Sequence, residues 1–178
     1  HTTGRVHDLS FRAVTAVFGH LGIEWDLTAA TAQELAELQE WISFYKANRR
    51  LLMGGELRRL DFPDPNILAY GIVAPDRSSA IYSVASIGQS DVMLPGRLRF
   101  PGLDPHRRYR IQPVLVGRPP SGLNPPPWWG AMTSEWEPSG ERRALGWGLP
   151  ADGGAGLIFS GAALAATGVM AAGMHPDH

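Results

Sequence analysis

Residues 31–60 read TAQELAELQEWISFYKANRRLLMGGELRRL, and this stretch decides how the rest of the chain is to be read. Thr31 stands three residues before Glu34, the spacing at which a hydroxyl and a carboxylate reciprocally satisfy the free backbone N–H groups of a helix start. Beyond that box Leu35, Leu38, Trp41, Ile42, Tyr45 and Leu52 fall on one helical stripe, which leaves Glu37, Glu40 and Arg50 for the wet face. Gly54 and Gly55 supply the stop. The spacing predicts a helix of roughly 22 residues that must lie on something large, because helices owe most of their stability to the packing of an apolar face.

After Gly55 the period changes from helical to two. Glu56–Leu60, Ile67–Ala74 and Ala80–Ile87 read as strands, the last two joined by the turn Pro75-Asp76-Arg77-Ser78. Arg97–Phe100 and Tyr109–Val116 read as a further hairpin across Pro101-Gly102-Leu103-Asp104-Pro105. Short strands with Pro/Gly turns favour an antiparallel sandwich. Upstream, Leu9, Ala13, Val14, Ala16 and Val17 suggest a short helix between Asp8 and His20, and Leu21–Leu27 a brief buried strand. The fold class expected is α+β.

Gly153–Met174 carries no charged residue and is long enough on paper to span a bilayer. Six of its residues are glycine and many others alanine, so insertion would gain little. A buried strand around Leu157-Ile158-Phe159 followed by a turn or short helix is the preferred reading.

The composition of the 178 residues, 44% hydrophobic and 19% charged, is that of a folded chain of one domain or a domain plus part of another. A net charge of −1 provides no long-range field for nucleic acid or an anionic membrane, which leaves a neutral small molecule as the expected partner. The absence of cysteine excludes disulfides and thiolate metal sites without fixing a compartment. Lys46 is the only lysine, a bias that codon usage explains more cheaply than function. No Walker loop, dinucleotide fingerprint or nucleophile elbow is present. The six histidines, His1, His7, His20, His106, His175 and His178, lack metal-ligand spacing, so no metal is expected. His1 in place of an initiator Met, and a last stretch of Met174-His175-Pro176-Asp177-His178, suggest a fragment.

Two groupings remain as candidates for function. Glu24 and Asp26 are spaced i, i+2, which on a strand would set both carboxylates on one face for acid/base work; a rim salt bridge, or a helix cap by Asp26, is the competing reading. Residues 117–155 form a long Pro/Gly/Trp-rich loop in which Trp128, Trp129, Trp136 and Trp147 concentrate four of the six tryptophans. Such rings either stack on sugar faces or plug the loop onto its own domain or a subunit interface.

Several strings resemble one family: His1-Thr2-Thr3-Gly4-Arg5, Phe18–Leu27, Tyr45-Lys46-Ala47-Asn48-Arg49 and Pro95–Pro105, with Ser160–Leu164 and Gly168 resembling its final helix-turn before the last strand. They are similar to the C-terminal third of bacterial α-galactosidases of glycoside hydrolase family 36, the melibiase/raffinase type. The resemblance implies that residues 1–55 are the last strand-helix part of a (β/α)8 catalytic barrel, and that residues 56–178 are an antiparallel β-sandwich domain. It also implies a cofactor-free, cytoplasmic hydrolase, often a homotetramer, that removes terminal α-galactosyl units with retention. Such chemistry needs two carboxylates about 5 Å apart. The family carries its nucleophile in a K-x-D strand motif far upstream and its acid/base Asp shortly before the segment matching His1–Arg5. No catalytic residue is therefore expected in this chain, Glu24 and Asp26 included, and alone it is expected to be inactive. The alternative is a non-catalytic carbohydrate-binding or interaction module built on the Trp-rich loop.

Overall fold

A computed structural model describes residues 7–90, 96–114, 116, 126–129 and 157–173. Helix α1 runs from Leu9 to Val17 and α2 from Ala32 to Gly54. Strands β1 (Glu56–Arg59), β2 (Ile67–Val73) and β3 (Ala80–Ser86) follow, then β4 (Arg97–Leu98) and β5 (Arg108–Ile111). The last described stretch contains β6 (Leu157–Ser160), α3 (Gly161–Ala166) and β7 (Val169–Met170).

The start of α2 forms as its sequence dictates. The Thr31 hydroxyl oxygen accepts from the Glu34 backbone N–H at 3.2 Å, and Glu34 Oε2 accepts in return from the Thr31 backbone N–H at 2.8 Å. Leu38, Trp41 and Leu52 are buried along one side, and the Gly55 N–H closes the end on Leu51 O at 2.8 Å. Two positions depart from the expected stripe. Leu35 remains exposed, whereas Glu37 is buried and accepts from Gln33 Nε2 at 3.1 Å.

The three-stranded meander β1-β2-β3 is antiparallel throughout, with Leu57 opposite Ile72 and Ile72 opposite Ile81. Alternation divides its side chains between two cores. On one face Ile72 and Ile81 pack with Ala13 and Val17 of α1 and with Trp41 and Leu52 of α2. The Phe18 ring meets Tyr70 edge-on on that side, with centroids 4.8 Å apart. On the other face Ala69, Tyr82 and Val84 pack with Leu98, Phe100, Leu164 and Val169. Tyr82 lies across Gly71, where a Cβ would stand 2.2 Å from the Tyr82 ring, and donates its hydroxyl proton to Pro101 O at 2.7 Å.

The expected hairpin between Arg97–Phe100 and Tyr109–Val116 does not form. Strand β4 pairs instead with β7, and β5 with β6, both antiparallel. The segment 157–171 thus threads between two strands that are near in sequence and satisfies the backbone groups of each. Its helix is tied at both ends. Ser160 Oγ accepts from the Ala163 N–H at 3.1 Å, and the Gly161 N–H bonds Arg107 O at 2.8 Å. At the far end Arg97 donates to Thr167 O and Gly168 O at 2.9 and 3.0 Å. The intervening loop 101–107 is held by the Tyr109 hydroxyl, which accepts from the Asp104 N–H at 2.8 Å and donates to Arg77 O at 2.7 Å.

A second correction concerns Leu21–Leu27, which form no strand. Ile23 and Leu27 are 43% and 42% exposed, and the segment ends in a single 3-10 turn over Leu27–Ala29. No helix among the described residues is long and apolar enough to cross a membrane. The described part of the uncharged stretch that prompted that question holds β6, α3 and β7 over residues 157–170.

Two substitutions test this account. Gly168 has φ +65° and a Cβ there would stand 1.9 Å from Leu98 O, so Gly168→Ala is expected to cost about 3 kcal/mol, whereas Gly22→Ala, with nothing near its Cβ, leaves the melting temperature unchanged. Tyr109→Phe removes both bonds of the phenolic oxygen and is expected to cost about 1–3 kcal/mol in denaturant unfolding.

Candidate functional site

The sequence nominated a carboxylate pair, a set of histidines and a tryptophan-rich loop, and the structure separates them. Glu24 and Asp26 lie on the exposed connection between α1 and α2, not on a strand. Asp26 Oδ1 accepts from the Thr28 hydroxyl at 2.6 Å and the Thr28 N–H at 3.0 Å, which caps the 3-10 turn. Those bonds, the hydroxyl first, hold the Asp26 carboxyl below its ordinary range. A carboxylate bound in this way stays ionised at neutral pH and cannot act as a general acid. Beside it, the Arg12 guanidinium lies 5.5 Å from the Trp25 ring centroid, a cation–π contact that no sequence spacing announced.

His7 stacks on Phe11, with ring centroids 5.0 Å apart. His1, His175 and His178 lie outside the described residues. Among the described residues no group of three potential metal ligands converges.

Trp136 and Trp147 also lie outside the described residues. Trp128 and Trp129 form a short 3-10 turn with Pro127, their rings edge-to-face at 5.8 Å. Trp128 packs against the Leu98–Phe100–Leu164 core and donates its indole N–H to Met170 O at 2.6 Å. The ring is half-buried, seated on the chain's own core while part of its surface stays accessible.

A groove of about 1340 Å³ runs between the helices, β3 and β5, lined by Phe11, Phe18, Trp41, Phe44, Tyr82 and Trp128 among others. The carboxylates at its described edge are Asp8 and Asp76. Asp76 Oδ1 accepts from the Ser78 hydroxyl and N–H at 2.7 and 3.0 Å, and these bonds lower its pKa. It shapes the β2–β3 turn, in which Arg77 adopts φ +57°. Tyr82 is held well above the ordinary phenol value by burial. Asp76 is thus held ionised by its own turn, the opposite of what the acid partner in glycosidic cleavage requires.

Comparison with known proteins places this scaffold in a family. Residues 67–175 match the family model described as the glycosyl hydrolase family 36 C-terminal domain, and residues 1–55 match that of Melibiase. The chain belongs to glycosyl hydrolase family 36. Its relatives include the α-galactosidase of Escherichia coli, 40% identical over 152 residues that make up 82% of this chain and 21% of that protein. Another is α-galactosidase AgaA of Geobacillus stearothermophilus, 34% identical over 118 residues, 65% of this chain and 16% of that one. The crystal structure of an AgaA variant in complex with 1-deoxygalactonojirimycin superposes on 96% of this chain and 18% of its own, with a TM-score of 0.66 and 25% identity. A second AgaA variant, in complex with raffinose, gives the same TM-score. The family-36 chain therefore spans about a fifth of the length of these relatives.

The capping carboxylates set a pH dependence. Asp26, Glu34, Asp64 and Asp76 all have lowered pKa values, so each favours the folded state above its unfolded pKa and loses that contribution as pH falls through the folded one. Thermal melts are expected to be flat near neutrality and to fall once the pH drops below the ordinary carboxylate values of 3.8 and 4.5, with a smaller drop in Asp76→Asn. Trp128→Ala is expected to lower stability by about 2–3 kcal/mol for the lost burial, while galactose leaves tryptophan fluorescence unchanged in both variant and parent.

Proposed function

We propose that this chain is the C-terminal part of a retaining α-galactosidase that hydrolyses terminal α-galactosyl units of oligosaccharides such as melibiose or raffinose. The observation that carries the reading is the family-36 match over residues 67–175 together with 40% identity to an α-galactosidase. The raffinose bound to AgaA supports the substrate class. Residues 1–55 are read as the last strand-helix part of a (β/α)8 barrel and residues 56–178 as an antiparallel sandwich, with α2 an outer-ring helix of that barrel. The single buried stripe of α2 and its seat against β2 agree with that role.

In a retaining glycosidase one carboxylate attacks the anomeric carbon while a carboxylic acid protonates the departing glycosidic oxygen; water then releases the sugar from the enzyme, activated by the same second group. Several of the described carboxylates of this chain do other work. Asp26, Glu34 and Asp76 cap turns and a helix. On this reading the two reacting groups belong to other parts of the enzyme, and the chain supports the barrel without entering the reaction. No cofactor is invoked. A cytoplasmic location and a homotetrameric assembly belong to the same proposal.

The test is hydrolysis of p-nitrophenyl α-galactoside by two species, the full reading frame that contains these residues and the 178-residue chain alone. The first is expected to turn over, and NMR is expected to show α-galactose as the first-formed anomer. The second is expected to be inactive. Turnover by the pure short chain, or first-formed β-galactose from the long one, would overturn the corresponding part of the proposal. Within the active enzyme, Glu24→Gln is expected to leave kcat within about twofold, since its carboxylate is exposed and off any strand.

A further inference from the structure

We draw no further inference here: the strongest candidate, the apolar groove between the two N-terminal helices and the edge strand β3, has walls of aromatic side chains but nothing in the structure shows what covers it.

Discussion

Everything in this structure depends on the need to cover both faces of one small sheet. Strand β2, Ile67-Leu68-Ala69-Tyr70-Gly71-Ile72-Val73, is apolar at nearly every position, and Ile67, Ala69, Ile72 and Val73 are all buried. Apart from Leu68, which is exposed, this central strand must be covered on both faces. The helices α1 and α2 close one face through Val17, Trp41 and Leu52, and the segment around α3 closes the other through Leu164 and Val169. At about 25 cal/mol per Å² of apolar area, neither cover can be removed without returning a large share of the stabilisation to water. The first and last parts of the chain are thereby coupled through a sheet that contacts both.

That coupling accounts for the character of the polar groups. Several carboxylates and hydroxyls among the described residues terminate elements: Thr31 and Glu34 at the start of α2, Asp26 at the 3-10 turn, Asp76 in the β2–β3 turn, Ser160 at the start of α3. Each meets backbone N–H groups that a turn or helix end would otherwise leave without a partner. A carboxylate that accepts two such bonds is stabilised in its ionised form, the opposite of what an acid catalyst needs.

The legible parts of the fold were those where the signal is local. A capping box, a stop of two glycines and a strict change of period mark α2, β1, β2 and β3, and their boundaries fall within a residue or two of the expected ones. The brief strand over Leu21–Leu27 failed because alternating Leu21, Ile23 and Trp25 look like one face of a strand, yet among the described residues no neighbouring strand offers them an edge. Asp26 was better understood as a cap than as half of a catalytic pair, and Thr28 shows why: a partner two residues away is always within reach. The hairpin at Pro101–Pro105 failed for a different reason. Its two strands have the right composition, but their hydrogen-bonding edges are taken by residues some 50 to 70 positions further along, at Leu157–Ser160 and Val169–Met170.

The amino-acid sequence by itself determined the helices, the meander, the family and the absence of a metal or nucleotide motif, because caps, periods and short motifs act over a few residues. Only the tertiary structure decided which strands pair across long separations, that Glu37 is buried and Leu35 is not, and that Trp128 packs on a core and bonds Met170. It also revealed the Tyr109 hydroxyl as the tie between two loops. Those outcomes depend on which backbone edge or apolar face is left unsatisfied once everything else has packed, and no window of sequence contains that information.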